Sequence, residues 1–208
     1  MKRIALIGLT IIAVFAMAAA ASGRIMVLEL YTDAGPLAPG ADIHAFSSSF
    51  SFTTSSGEVE CPKSDLSGTL ANNESTKDKG NIAAASFGGG IENLCQGTFG
   101  LAAIAAEHTP WPIEFTNKGA AALKSVAFKA TFFALGDAHC YYAARKVKGK
   151  IPLSGSVRIT IERQVFKLTK ESAEPCPKRA IVSGAFQLTS TSDEEELELH
   201  VRVKPGPK

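Results

Sequence analysis

The stretch "ELELHVRV", residues 196–203, alternates polar and apolar residues with a period of two. Successive side chains of a β-strand point to opposite faces, so this pattern predicts a strand with one buried face. The apolar face would carry Leu197, Leu199, Val201 and Val203. A sheet with one face against a core is therefore the first feature that the sequence predicts.

Two other stretches repeat the pattern. "SVRITIE", residues 156–162, points Val157, Ile159 and Ile161 inward, and "SVAFKATFFAL", residues 125–135, is apolar enough on both faces for a central strand. Residues 116–126 could form only a turn or two of helix, because Gly119 interrupts them and no polar face is present. The residues predicted to be buried are Phe128, Phe132, Val157, Ile159, Ile161, Leu197, Leu199 and Val201.

The rest of the chain reads as short strands separated by Gly, Pro, Ser and Asn. A parallel sheet needs crossover helices, and the sequence has no room for them. We therefore expect an all-β fold, an antiparallel sandwich or barrel. The additional predicted strands are 25–31, 43–53, 57–61, 66–71, 81–87, 98–105, 111–115, 139–143 and 181–189.

The N-terminus reads as a secretory signal peptide. Lys2 and Arg3 precede an uncharged apolar run, and Ala18–Ala21 supply the small residues of a cleavage site. We predict a signal peptide over 1–21, one all-β domain over 22–204 and a frayed tail over 205–208, since Pro cannot donate to a ladder. A retained membrane anchor is the alternative, because the apolar run is near the lower length limit for a span.

Cleavage changes the charge balance. The chain has 22 basic and 20 acidic residues, and the signal peptide holds two of the basic ones, which leaves 20 against 20. A formally neutral mature chain lacks the basic excess of a general nucleic-acid binder. We expect neither a nucleic-acid partner nor membrane attachment after cleavage.

Four cysteines, Cys61, Cys95, Cys140 and Cys176, stand far apart, without the close pairs of a zinc site or a Cys-x-x-Cys redox motif. An even number in an exported chain favours disulfides. We predict Cys61–Cys95 and Cys140–Cys176, because crossed pairings would close longer loops at a greater entropic cost. A Cys61–Cys176 bond remains the alternative if those residues enter adjacent strands.

The Cys-Pro-Lys motif occurs twice, in "ECPKSDLSGTL" (60–70) and "PCPKRAIVSGAF" (175–186). The spacers to the following Ser-Gly differ by one residue, which would reverse the strand face, so the motifs do not form an internal repeat. Pro62 and Pro177 predict strand entries, and Gly68 and Gly184 predict bulges or close backbone contacts.

"FTTSSGEVECPKSDLSGTL" (52–70), "PWPIEF" (110–115), the mid-chain Cys140-Tyr141 and the late Cys176-Pro177 together resemble a pattern in uncharacterised secreted proteins of actinobacterial type. The resemblance covers most of the mature chain. It implies export and β structure, and it brings no activity with it.

Candidate ligand-binding residues are few. Trp111, between two prolines, could stack on a sugar ring, although a lone Trp is more often a core anchor. Alternation lets only one of Tyr141 and Tyr142 face the core. In "ARKVKGK", residues 144–150, Arg145, Lys146 and Lys148 could contact anionic wall polymers or lipid headgroups, or form a solvated loop.

Other polar motifs have simpler interpretations. "SDEEELE", residues 192–198, lacks the spacing of a calcium loop and predicts a charged turn before an edge strand. The adjacent His139 and Cys140 would point to opposite faces, which argues against a catalytic pair. "NNESTKDKGN", residues 72–81, predicts an exposed hairpin loop, and its Asn73-Glu74-Ser75 glycosylation triplet carries little weight beside a bacterial-type signal.

The sequence contains no nucleophile elbow, metalloprotease helix motif or phosphate-binding loop. We therefore expect no catalytic residues, metal or cofactor. The predicted function is a secreted or cell-surface non-enzymatic module, structural or binding. The alternatives are a domain that binds carbohydrate or wall polymer, and a hydrolase or inhibitor whose site is assembled from distant residues.

Overall fold

The computed structural model describes residues 25–88, 94–170, 172, 174–192 and 195–206. Across these ranges the chain forms strands, with one 3₁₀ turn at Phe133–Leu135. The strands are β1 Met26–Thr32, β2 Gly35–Pro36, β3 Asp42–Ser47, β4 Phe50–Thr54, β5 Gly57–Cys61, β6 Lys63–Asn72, β7 Lys77–Gly88, β8 Cys95–Gly97, β9 Gly100–Glu107, β10 Trp111–Thr116, β11 Ala120–Phe132, β12 Ala138–Lys150, β13 Ser154–Ser156, β14 Arg158–Leu168, β15 Arg179–Ser192, β16 Glu195–Glu198 and β17 His200–Pro205. The predicted signal peptide, 1–21, lies outside the described residues.

Several short strands are halves of longer ones. Asp42 faces Thr69 in the β3–β6 pair, and Phe50 faces Cys61 in the β4–β5 pair, so both pairs belong to one hairpin with a single register. β9 and β10 likewise follow each other along β11. The chain thus has eight long strands in sequence: β3/β4, β5/β6, β7, β9/β10, β11, β12, β14 and β15.

These eight strands close into a ring. Each pairs antiparallel with the next in the chain, and β15 pairs with both β3 and β4, which joins the last long strand to the first. Of the two predicted architectures, the structure therefore has the barrel, with up-and-down connections. Closure removes the free edges that an open sheet of this length would expose.

A second sheet covers one end of the barrel. Its strand order is β13–β17–β1–β2, so strands from both ends of the described chain lie side by side. Leu28, Leu30 and Val201 are fully buried under it, and each such side chain contributes about 1.5–3 kcal/mol. Leu28 N–H donates to the carbonyl of Ser75 at 2.8 Å, which ties this sheet to the β6–β7 turn.

Aromatic side chains fill the barrel. The Phe52 ring lies 5.0 Å from Phe128 and 5.4 Å from Tyr142, both edge to face, which is a favoured arrangement of aromatic pairs. The interior void beside Trp111 and Phe166 measures about 40 Å³, well below the roughly 300–1,000 Å³ of small-molecule pockets. This part of the interior is a packed core and leaves ligand contacts to the outer surface.

The core prediction is confirmed for Phe128, Phe132, Val157, Ile159, Ile161, Leu199 and Val201, all of which are buried. It is wrong for Leu197, which is only half-buried. The predicted continuous strand breaks at Leu199, so that β16 pairs with β15 and β17 pairs with β1. Leu197 therefore lies on a short edge strand, where one side of the pairing is open.

Both predicted disulfides are present. Cys61 at the end of β5 is bonded to Cys95 at the start of β8, with Cα atoms 4.3 Å apart. Cys140 in β12 is bonded to Cys176, ahead of β15, with Cα atoms 5.5 Å apart. Strand pairing also brings the bridged segments together, since β5 pairs with β8, and β14 pairs with both β12 and β15.

The two Cys-Pro-Lys motifs do start strands. Pro62 lies between β5 and β6, and Pro177 lies two residues before β15. A Cβ on Gly68 would stand 1.9 Å from the Asn81 carbonyl oxygen, beside a register shift in the β6–β7 pair. The predicted bulge and close backbone contact are therefore confirmed at Gly68. At Gly184 a Cβ would come within 3.3 Å of Phe50, which confirms close contact there.

Four local predictions differ from the structure. Residues 120–126 belong to β11, and the "ARKVKGK" run belongs to β12, because both strands extend along the barrel wall. Strand β7 begins at Lys77, with Asp78 buried, so the polar loop is shorter than predicted. In the predicted tail, Pro205 faces Met26, and Gly206 N–H donates to the Ile25 carbonyl at 2.8 Å. Lys208 and its neighbour at 207 lie outside the described residues.

Candidate functional site

Trp111 belongs to the core. It opens β10 opposite Ile82 and is 2% exposed. Its indole Nε1–H donates to the Glu107 carbonyl at 2.9 Å, which satisfies the only polar atom of the side chain. The interpretation of Trp111 as a sugar-stacking residue is therefore wrong, and the core-anchor alternative is confirmed.

Tyr141 and Tyr142 point to opposite faces of β12, as strand alternation predicts. Tyr142 is fully buried, and its hydroxyl donates to the Pro177 carbonyl at 2.8 Å. Burial raises the pKa of the Tyr142 phenol far above its usual value. Tyr141 points outward and is half-buried, with its backbone N–H donating to Ser172 Oγ at 2.9 Å.

Most of the predicted basic cluster lies on one outer wall of the barrel, formed by β11, β12 and β14. Arg145, Lys146 and Lys148 are all exposed there. We define the basic face as Lys124, Lys129, Arg145, Lys146, Lys148, Arg163, Lys167 and Arg179. Arg179 joins the set from the first residue of β15.

Like charges face each other across strands on the basic face. Lys124 lies opposite Lys146 in the β11–β12 pair, and Lys167 lies opposite Arg179 in the β14–β15 pair. Like charges directly opposite each other destabilise a sheet. This repulsion is unrelieved at Lys167 and Arg179, which have no acidic partner among the described residues, whereas Lys124 pairs with Glu114.

A local bend places two neighbouring cations outward. Ala144 and Val147 are both buried, and Arg145 and Lys146 between them are both exposed, which breaks the alternation of β12. On the facing strand, Ser125 has a φ of 53°, in the left-handed region that a residue with a side chain seldom adopts. The bend therefore adds a cation to the outer wall that regular alternation would have turned inward.

Few acids balance these cations. Glu114 accepts a hydrogen bond from Lys124 Nζ at 2.7 Å, which lowers the pKa of its carboxyl. Lys150, at the end of β12, pairs with Glu162 at 3.3 Å. Among the described residues, no carboxylate lies within salt-bridge distance of Arg145, Lys146, Lys148, Arg163, Lys167 or Arg179.

The opposite wall has a mixed charge. β5/β6 stands diametrically across the ring from β12, and it carries Glu58, Glu60 and Asp65 together with Lys63. The excess of cations is thus confined to one side of the barrel. The sequence total could not reveal this distribution, because strand order decides which residues share a wall.

The basic face continues into an open groove at the barrel rim. The groove has a volume of about 770 Å³, with Val165 and Ile181 at its base and hydroxyl side chains from the β4–β5 turn on one wall. Lys178 and Arg179 line the other wall, close to the Cys140–Cys176 bridge. Hydroxyl donors and cations therefore meet at this end of the barrel.

The described residues do not assemble a metal site or a Cys–His nucleophile pair. In the part of the chain that the structure describes, no group of three His, Cys, Asp or Glu side chains could hold a metal ion. Cys140 is in a disulfide, and His139 Nδ1 is 3.0 Å from Thr131 Oγ1, so the adjacent His139 and Cys140 form no catalytic pair. Within the described ranges, no helix is long and apolar enough to cross a membrane.

No family model matches this sequence, and neither the curated proteins nor the solved structures provide a significant match. Fold and surface together define a disulfide-bonded antiparallel β-barrel with one cationic wall.

Proposed function

We propose that the protein is an exported, non-enzymatic binding module whose basic face binds an anionic polymer of the cell surface. The observation that carries this proposal is a set of exposed cations on β12, β14 and β15 that lack acidic partners among the described residues: Arg145, Lys146, Lys148, Arg163, Lys167 and Arg179. The opposed like-charge pair Lys167 and Arg179 supports it, because its repulsion is relieved when an anion binds between the two side chains.

The spacing of the cations suits a repeating ligand. Lys146 and Lys148 are two residues apart on one strand, about 7 Å along its axis, and neighbouring strands add a second direction about 4.8 Å away. A polymer with a phosphate or carboxylate in each repeat would meet several cations at once. Several weak exposed contacts then combine into useful affinity.

Export is supported by the chemistry of the chain. The apolar N-terminal segment has the order of a signal peptide, and all four cysteines are paired in disulfides, which persist in oxidising compartments. An exported protein meets anionic wall polymers before it meets nucleic acid. This order of encounter favours a wall polymer as the ligand of the basic face.

The proposal is tested by titrating the mature protein with poly(glycerol phosphate) and with uncharged dextran, at low and high salt. We expect binding to the phosphate polymer alone, and weaker binding as salt rises, because exposed charges are screened. The double variant Lys146→Gln/Lys148→Gln should weaken binding about tenfold or more, at roughly 1 kcal/mol for each cation near an anionic surface.

The matched control removes the same charge from the other side. Lys63→Gln/Lys79→Gln changes two exposed lysines on β6 and β7, outside the basic face. This variant should stay within about threefold of the wild type, since distant exposed charges are screened beyond about 10 Å. Equal losses in both double variants, or equal binding of dextran, would contradict the proposal.

A further inference from the structure

A second surface lies on the opposite wall and is independent of the basic face. β3, β6 and β7 form a groove there of about 400 Å³. Phe46 stands in it with 45% of its surface exposed, although a large aromatic side chain is usually well buried. An exposed ring in a concave, partly polar surface is a common feature of ligand sites.

Strand register sets the groove's layout. Phe46 lies opposite Asp65, which in turn lies opposite Ser86, so the ring, a carboxylate and a hydroxyl form one row across three strands. The next row is His44, Ser67 and Ala84. All these residues line the groove, so the strand register brings both rows of side chains into the same groove.

Small side chains line the bottom of the groove, and its polar side chains are free to contact a ligand. Ala84 and Ser86 are small, which leaves the Phe46 ring and the Asp65 carboxylate standing above the strand surface. Among the described residues, the side chains of Asp65, Ser67 and Ser86 have no hydrogen-bond partner. A ligand would therefore not have to break existing contacts to reach them.

Glu196 closes one end of the groove. Thr189 Oγ1 donates to Glu196 Oε1 at 2.7 Å, which fixes the orientation of that carboxylate. A carboxylate has more acceptor sites than one hydrogen bond uses, so Glu196 can still accept from a ligand. Asp65 and Glu196 thus offer acceptors beside the Phe46 ring.

We propose that this groove binds one or two units of a neutral saccharide. A sugar ring has an apolar C–H face, which packs on an aromatic ring, and a rim of hydroxyl donors, which suits carboxylate acceptors. Acceptors on both sides disfavour anionic ligands, so the groove and the basic face select different chemistry. The volume of about 400 Å³ lies within the usual range for small-ligand sites.

The stacking residue of this proposal is Phe46 and not Trp111, for which sugar stacking was one of two interpretations of the sequence. Trp111 begins β10 on the inward face, and Phe46 lies on the outward face of β3. A phenylalanine on the polar face of a strand, between His44 and Ser48, is the sequence signal that would have identified this residue.

The test uses the mature protein and three neutral probes: chitotetraose, cellotetraose and mannotetraose. Saturation-transfer NMR should show contact with the ring protons of at least one probe, and calorimetry should give its affinity. Phe46→Ala should reduce that affinity about tenfold or more, and Asp65→Asn about threefold or more. Phe46→Leu keeps apolar bulk without a ring and should also lose most of the affinity, which separates stacking from folding.

Phe133→Ala is the matched control, since Phe133 is 43% exposed at the barrel rim, away from the groove. It should bind the probe as the wild type does, and so should Lys146→Gln/Lys148→Gln. Absence of binding to all three probes at millimolar concentration would overturn the proposal. Equal losses for Phe46→Ala and Phe133→Ala would overturn it as well.

Discussion

The side-chain amide of Asn73 binds both backbone groups of Leu30. Its Oδ1 accepts from the Leu30 N–H at 2.9 Å, and its Nδ2 donates to the Leu30 carbonyl at 2.7 Å and to the Leu37 carbonyl at 3.0 Å. The β6–β7 turn is thereby fastened to β1, at the end of the barrel that the second sheet covers. Because Nδ2 is engaged in this way, the Asn73-Glu74-Ser75 triplet is unsuited to carry a glycan in the folded protein.

Asn73→Ala should destabilise the fold by about 1–3 kcal/mol, because it removes the Asn73 acceptor from the N–H of the fully buried Leu30, whereas the Leu30 carbonyl keeps the Leu37 N–H as a donor. Urea unfolding followed by circular dichroism measures the loss. Asn81→Ala removes an exposed Asn from the middle of β7 and should cost less than about 1 kcal/mol. A loss for Asn73→Ala no larger than this control would show that β1 is held without the Asn73 side chain.

The two disulfides should act independently. Replacing Cys140 and Cys176 together by Ala should lower the free energy of unfolding by about 2–5 kcal/mol, because the unfolded chain gains freedom. Non-reducing peptide mapping of the variant should still recover Cys61 linked to Cys95, since β5, β8 and β9 hold that bridge at a different part of the rim. Scrambled links or free Cys61 in the variant would mean that one bridge depends on the other.

Asp78 is a buried acid next to the same turn. It is fully buried, and its Oδ1 accepts from both the N–H and the hydroxyl of Ser75 at 2.9 Å. Its Oδ2 is buried and has no partner in the described structure. Burial raises the pKa of Asp78 to about 6, with a smaller contribution from the negative charge of Glu74, although the Ser75 hydrogen bonds oppose the shift.

This raised pKa predicts a pH dependence with a definite sign. Between about pH 4 and about pH 6 the folded protein keeps a proton on Asp78 that the unfolded chain releases, so this group's contribution to stability falls as pH rises through that range. Asp78→Asn removes the titration. Its stability relative to wild type should therefore rise by about 3 kcal/mol between about pH 4 and about pH 7.5.

Thermal and urea unfolding at several pH values measure that difference. Asp42→Asn, at an exposed position at the start of β3, is the control and should show a relative stability that changes by less than about 0.5 kcal/mol. A pH-independent difference between Asp78→Asn and the wild type would contradict a raised pKa at Asp78.

Signal cleavage is tested by the mass of the exported protein. N-terminal sequencing should begin near Ala21 or Ser22, because Ala18–Ala21 provide the small residues that signal peptidase requires. Recovery of Met1 in the membrane fraction would instead support the retained anchor.

Parts of the surface could be predicted from sequence, and other parts could not. The exposure of Lys146 and Lys148 follows from their polar positions, but the opposition of Lys146 to Lys124 and the position of Lys167 on the same wall depend on strand order. Trp111 and Phe46 show the same limit. Residue type alone favours Trp over Phe for stacking on a sugar, but whether each ring is exposed depends on which face of its strand carries it.

The sequence by itself determined the all-β class, most of the strand positions and most of the buried set, and it favoured the observed disulfide pairing over one open alternative. These properties are local or follow from loop closure: alternation fixes which side chains share a face, and closure entropy favours bridges between cysteines near in sequence. The tertiary structure alone decided between sandwich and barrel, gathered the cations on one wall, and fastened the covering sheet through Asn73. These features depend on hydrogen bonds between β15 and β3 or β4 and between β1 and β17, which join residues far apart in the chain, and such pairings leave no periodic signal in the sequence.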